Sequence, residues 1–221
     1  MDNTQPELTL YHFPNACSQV VVCALEAAGL TYRVELVDLA AGEQNSDDYK
    51  AINPLGKVPL LLIDGQPLTE NVAILTYIAG LRPDAGLLPV SQDPLVHAQA
   101  IGGMAFCGGT LHPIIRGMAN PQRMTTGEGA PVREKSIELA DKSYKQAEAR
   151  LAANGWWLGE WSIVDVYLNW TLSVAQNAGY DFSKFPALHE LPEKLTAIPA
   201  FVRMQEVNAR RLPYGAFASC C

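Results

Sequence analysis

Residues 53–71, NPLGKVPLLLIDGQPLTEN, set out a loop closed by Val58-Pro59, an apolar strand from Leu60 to Ile63, a turn at Asp64-Gly65, a short return strand from Gln66 to Leu68, and a helix opened by an acid and an amide, Glu70 and Asn71. Asp-Gly between two short strands is a hairpin signal, so these strands pair antiparallel. A proline at the junction suits a loop-to-strand step, because it has no N–H to give to a ladder. If the Val58-Pro59 bond is cis, Val58 turns its N–H and C=O outward, where an extended ligand can pair with them as an added strand does. The stretch therefore builds a place that holds a peptide-like molecule by its backbone and its charged end.

Working towards the N-terminus, YRVELVDL at 32–39 alternates as a strand, and Cys17 to Ala28 has the apolar face of a helix (Val20, Val21, Ala24, Leu25, Ala28) stopped by Gly29. LTLYH at 8–12 is a further strand, which completes a βαβ unit. A polar stretch, 40–50, leads through a loop into a short helix ending near Ile52. With the Glu70 to Ala79 helix, the order is βαβαββα: a small mixed sheet with helices on its faces.

Pro83, Asp84, Gly86 and Pro89 break the chain, and beyond them the apolar period is helical throughout. The expected organisation is an α/β domain over 1–82, a linker over 83–92 and an all-α bundle over 93–221. Residues 95–118 read as one long helix, rich in glycine and bent near His112-Pro113. A loop follows at 120–131, then a charged helix from Val132 to Ala153. Ser162 and Asp165 have the spacing of a capping box, with Trp161 and Val166 as its apolar staple, so the Asp165 carboxylate is read as structural. Two short helices, about 187–196 and 199–209, part at Ile198-Pro199.

The net charge of −7 lies entirely before residue 91, where 4 basic residues face 11 acidic ones. An acidic first half argues against nucleic acid, whose phosphates demand basic surface. Cys17, Cys23, Cys107, Cys220 and Cys221 are odd in number and lack framework spacing. With no leader-like start and no apolar run of membrane length, a cytoplasmic location is expected, with no membrane partner. The four histidines are scattered, so no metal is expected, and the phosphate-cradle and nucleophile-elbow motifs are missing.

Cys17 falls at the predicted start of the first helix, where unpaired amides favour a thiolate. A small buried hydrophobe is the competing reading, and it holds for Cys23 and Cys107. Ser18 can replace or assist Cys17, or simply cap the helix. Tyr11 can donate to a thiolate if it faces the site; alternation puts Tyr11 and Phe13 on one face and Leu10 and His12 on the other. Asn71 can cap its helix beside amides suited to a carboxylate, and Glu70 can accept from an ammonium. Those two features fit an amino-acid head group. His112 and Arg116, four apart, share a helix face and can point toward a cleft between the halves.

NPLGKVP, LTENVAI and the W-x-x-G-x-x-S-I-x-D pattern at 156–165, in this order and spacing, resemble the soluble glutathione S-transferases over nearly the whole chain. PNACS at 14–18 is similar to the PGACS of their bacterial beta class. The resemblance implies a thioredoxin-like first domain binding glutathione as co-substrate, and a helical second domain forming the second-substrate site. It places Cys17 beside the glutathione sulfur, with Ser18 and Tyr11 as rivals for activating it. Lys57, Val58 and a cis Pro59 would hold the cysteinyl backbone, and Glu70 and Asn71, where relatives mostly carry Ser, the γ-glutamyl end. His112, with Arg116, would serve the second substrate, against an apolar wall from Met104, Trp170 and the 212–217 tail. A homodimer is implied. The expected activity is transfer of the glutathione thiolate to a small hydrophobic electrophile. Thiol-disulfide exchange through Cys17 and non-catalytic glutathione binding are the alternatives.

Overall fold

A computed structural model of the protein describes residues 5–209, which form two compact units: residues 5–85 with 199–209, and residues 86–198. The first has the thioredoxin-like order β1 (Leu8–His12), α1 (Gln19–Ala27), β2 (Arg33–Leu36), α2 (Asp47–Ile52), β3 (Leu60–Ile63), β4 (Gln66–Thr69) and α3 (Asn71–Leu81). Its sheet runs β2-β1-β3-β4, with β1 parallel to β2 and the other pairs antiparallel. Asp64 and Gly65 both take positive φ, 49° and 79°, the geometry that a two-residue hairpin of matching twist requires.

Helix α1 departs from the expected one-sided pattern. Val22 and Cys23 are as completely buried as Val20, Val21, Ala24 and Leu25. The reason is α9 (Pro199–Asn208), which packs along α1 while α3 also contacts it. Arg203 fixes this docking: Nε donates to Glu26 Oε2 at 2.8 Å and a terminal nitrogen to the Glu26 carbonyl at 3.0 Å. Helix α9 thus belongs to the first unit, whereas the division at 93–221 grouped it with the second.

The second unit is helical: α4 (Pro94–Ala105), α5 (His112–Ala119), α6 (Gly129–Asn154), α7 (Ile163–Asn177) and α8 (Pro186–Leu195). The expected long helix is interrupted by a π-helical segment, Phe106–Leu111. Pro113 has no N–H to offer the Gly109 carbonyl, and a widened turn just ahead of it accommodates that missing bond. The glycines here let rings approach the backbone: a Cβ at Gly103 would collide with the Trp157 indole, and one at Gly108 would lie 2.8 Å from the Tyr167 hydroxyl. The 120–131 loop is shorter than expected, since a 3-10 turn covers Pro121–Arg123 and α6 starts at Gly129. The start of α7 is built as anticipated. Asp165, fully buried, accepts from Ser162 N at 2.9 Å, from Ser162 Oγ at 2.9 Å and from Trp157 N at 2.7 Å.

Candidate functional site

Three segments of the first unit meet at Cys17: its own turn, the Val58-Pro59 junction and the opening of α3. Pro14 and Asn15 turn the chain out of β1, and Asn15 takes φ 63°, a left-handed conformation that only glycine and asparagine adopt readily. That explains how PNACS stands in for PGACS. Cys17 lies in the turn itself; Ser18 is the N-cap and α1 begins at Gln19, two residues later than expected. The first helical amides are already committed, Gln19 N to the Ala16 carbonyl at 3.0 Å and Val20 N to the Cys17 carbonyl at 3.2 Å. These two amides of α1 are therefore already in use where the helix begins.

Cys17 is nearly buried, and its Sγ donates to the Val58 carbonyl at 3.6 Å. The Val58-Pro59 bond is cis. Among the described residues, the Val58 N–H has no acceptor. The backbone just ahead of it is clamped: the Lys57 carbonyl accepts from Tyr49 Oη at 2.7 Å and from Asn53 Nδ2 at 2.6 Å, while the Lys57 side chain is exposed. Gly56 completes that loop with φ 57°, and a Cβ there would sit 2.7 Å from the Gln44 carbonyl. Nothing in the sequence reading singled out Tyr49. Asn53 carried a signal, since asparagine at a loop start often bonds nearby backbone.

At the opening of α3 the roles differ from expectation. Glu70, exposed, is the N-cap position and takes φ 70°, ψ 122°, an uncommon conformation for a residue with a side chain. Asn71 is the first helical residue and does not cap; its Nδ2 donates to the Cys17 carbonyl at 3.2 Å. The amide ties the α3 start to the Cys17 turn, a link that a shorter hydroxyl would not reach in the same way.

Tyr11 faces the same side as Val58. It packs against the cluster of Phe13, Ala16, Val37, Tyr49, Val58 and Leu60, edge-on to Tyr49 with ring centroids 5.7 Å apart. Ser18 points the other way. Its hydroxyl is fully buried, 2.7 Å from His12 Nδ1, with the Phe13 N–H and C=O both at 3.3 Å. Burial holds the His12 pKa down, at about 4. The structure thus brings Cys17, Val58, Pro59, Asn71 and the Lys57 backbone together, places Tyr11 on the Val58 side of the sheet, and turns Ser18 into the core.

In the second unit, His112 is half-buried and packs edge-on against Trp170, centroids 4.6 Å apart, with Arg116 half-buried on the same helix. Met104 is fully buried and Trp170 nearly so, which places both in the core of that unit rather than on an open wall. The Leu212 to Phe217 tail and Cys220-Cys221 lie outside the described residues. Cys23 and Cys107 are buried, and burial, followed by nearby carboxylates, pushes their thiols up, Cys23 to about 12 and Cys107 well above its ordinary value. Among the described residues no cluster of three or more His, Cys, Asp or Glu could hold a metal ion, and no helix is long and apolar enough to cross a membrane.

Comparison with known proteins places this geometry among relatives. Residues 6–80 match the family described as Glutathione S-transferase, N-terminal domain. The chain is 32% identical over 196 residues to Glutathione S-transferase GST-4.5 of Xanthomonas campestris, covering 86% of this chain and 93% of that one. It is 29% identical over 207 residues to maleylacetoacetate isomerase of Pseudomonas aeruginosa, covering 91% and 97%. Among solved structures, a glutathione transferase homolog from Sulfitobacter with bound glutathione superposes with a TM-score of 0.83 at 29% identity, covering 92% of this chain and 99% of that one.

Proposed function

Because the chain belongs to the glutathione S-transferase family, we propose that it binds glutathione in its first unit and delivers the thiolate to a small hydrophobic electrophile. The observation that carries this reading is the convergence of the Cys17 turn, the Val58 backbone and the opening of α3. The Val58 N–H and C=O suit the cysteinyl backbone of an extended tripeptide. The opening of α3 suits a carboxylate, through helix-end amides, and Glu70 suits the ammonium beside it. These two anchors bring the sulfur toward the Cys17 turn, where amide donors and the Cys17 S–H favour its anionic form. A larger thiolate fraction near neutral pH raises the concentration of nucleophile.

His112 and Arg116 remain the proposed contacts for the second substrate, with the helical domain from 93 onward contributing that site. A cytoplasmic homodimer acting in detoxification is part of the same proposal, as is the beta class, which PNACS supports. A second reading has support in the relatives' names: the chain resembles a maleylacetoacetate isomerase about as closely as it does a transferase. Both chemistries begin with a glutathione thiolate at an electrophilic carbon, so one site serves either. The deciding experiment is calorimetry with glutathione, followed by turnover assays with an aryl halide, a glutathione mixed disulfide and maleylacetoacetate. Saturable binding with turnover of the aryl halide supports transfer; turnover of maleylacetoacetate alone supports isomerisation. Binding without any turnover would leave a scaffold role, and no binding would refute the proposal.

A further inference from the structure

Beneath the Cys17 turn lies a set of polar side chains that the site described above does not use. His12 and Ser18 are fully buried, and Gln19 and Asn208 nearly so. His12 Nδ1 lies 2.7 Å from Ser18 Oγ, and Asn208 Nδ2 donates to Gln19 Oε1 at 2.6 Å. His12 Nε2 and Asn208 Oδ1 are both buried and make no hydrogen bond among the described residues, so Asn208 is tied to the set through Gln19. The four residues come from β1, the α1 cap, the first turn of α1 and the last residue of α9.

Burying polar groups is costly, and an apolar cluster of similar volume would hold β1, α1 and α9 together at least as well. What hydrogen bonds add is direction. The Ser18 hydroxyl is held between the Phe13 N–H, the Phe13 C=O and the His12 ring, which fixes both ends of the 13–18 turn at one atom. Ser18 follows Cys17 directly, so its position sets where the Cys17 backbone and Sγ fall relative to Val58 and Asn71.

We propose that His12 and Asn208 are positioning residues for the sulfur site, acting through Ser18 and Gln19, so that the end of α9 governs reactivity at the Cys17 turn. This rests on the reading above that glutathione sulfur is handled at that turn. Neither residue touches the reacting atoms. Loss of the network lets the turn drift while Val58, Glu70 and Asn71 still grip the tripeptide, so chemistry suffers more than binding.

The test uses Asn208→Leu, His12→Leu and His12→Asn, the last keeping an amide near the place of Nδ1, with Arg203→Ala as a control that loosens α9 elsewhere. In Asn208→Leu the glutathione dissociation constant is expected to stay within about twofold while kcat falls about tenfold, well inside what a displaced reactive group costs. The rate of Cys17 alkylation by iodoacetamide, followed by peptide mass mapping without glutathione, is expected to change by about fivefold. His12→Asn should recover most of both signals lost in His12→Leu, and Arg203→Ala should show neither. Wild-type kcat and alkylation rates in Asn208→Leu, with only a lowered melting temperature, would overturn the proposal. If wild-type protein binds no glutathione, the function reading fails, but the alkylation arm still decides whether the network positions Cys17. If His12→Leu does not fold, Asn208→Leu carries the decision.

Discussion

The Cys17 thiol donates to the Val58 carbonyl across 3.6 Å, joining the residue proposed to meet the glutathione sulfur to the residue proposed to hold the glutathione backbone. A Cys17 S–H of this kind can turn from Val58 to an incoming thiolate and support it as a donor. Cys17→Ala is therefore expected to abolish reduction of a glutathione mixed disulfide while conjugation of an aryl halide stays within about tenfold of wild type. Cys17→Ser, which retains a donor, should conjugate better than Cys17→Ala. Equal loss of both activities in Cys17→Ala would assign the cysteine to activation instead.

Asn71 makes a second such link, from its side-chain amide to the Cys17 carbonyl at 3.2 Å. Removing that donor costs about 1–2 kcal/mol of stability, and replacing it with a carboxylate costs more, since two acceptors would then face each other. The expected order of melting temperature is wild type, then Asn71→Ala, then Asn71→Asp. Glutathione affinity should follow the same order. A more stable Asn71→Asp would show that the amide has no such role.

Glu70 carries a strained backbone at φ 70°, and strain of this kind costs on the order of 1 kcal/mol or more and tends to persist at functional sites. Glu70→Gly can relax it. The outcome expected is a protein of equal or higher melting temperature that binds glutathione more weakly, because the partner proposed for the ligand ammonium is gone. Thermal melts and calorimetry on the same sample check both halves, and unchanged affinity would remove Glu70 from the site.

Elements set by short-range rules were legible in the sequence. Asp64-Gly65 announced its hairpin, Ser162 and Asp165 their helix start, and the apolar period the existence of nearly every helix. The three segments proposed to hold glutathione stood out in the sequence because each carries its own turn or cap chemistry. What could not be read was non-local. No local pattern in Asn208 says that it meets Gln19, and α1 looked one-sided because the helix covering its other face lies 170 residues and more along the chain. Tyr49 escaped notice for the same reason: its hydroxyl reaches the Lys57 carbonyl only once α2 has folded back. The start of α1 was misread because Asn15 and Ala16 sit in a tight turn that uses up helix-like bonds before the helix begins.

The Asp165 carboxylate accepts three hydrogen bonds while fully buried, so Asp165→Ala strands the backbone amides of Trp157 and of the α7 cap, Ser162. A loss of about 3 kcal/mol is expected, above the ordinary value of a surface cap, because the abandoned donors have no water to turn to. Glutathione affinity per folded molecule should be unaltered, since the residue lies in the helical unit. Denaturant melts compared with calorimetry at a temperature where the variant is folded would show whether stability and binding separate in this way.

His12 gives the fold a pH dependence of definite sign. Burial lowers its pKa from 6.5 to about 4, so between those values the unfolded chain takes up a proton that the folded one refuses. The stability contributed by the neutral ring is fully present above pH 6.5 and is lost as pH falls toward 4, a total of about 3 kcal/mol. The paired carboxylates Asp84, Asp141 and Asp181 act lower, because their partners hold them below 3.8. Asp165, raised by burial, works in the opposite direction. His12→Asn, which cannot take up this proton, should therefore show a flatter stability curve than wild type between pH 6.5 and about pH 4 and a parallel one below it. Coincident slopes for the two proteins across the upper window would mean that the ring is not held neutral in the fold.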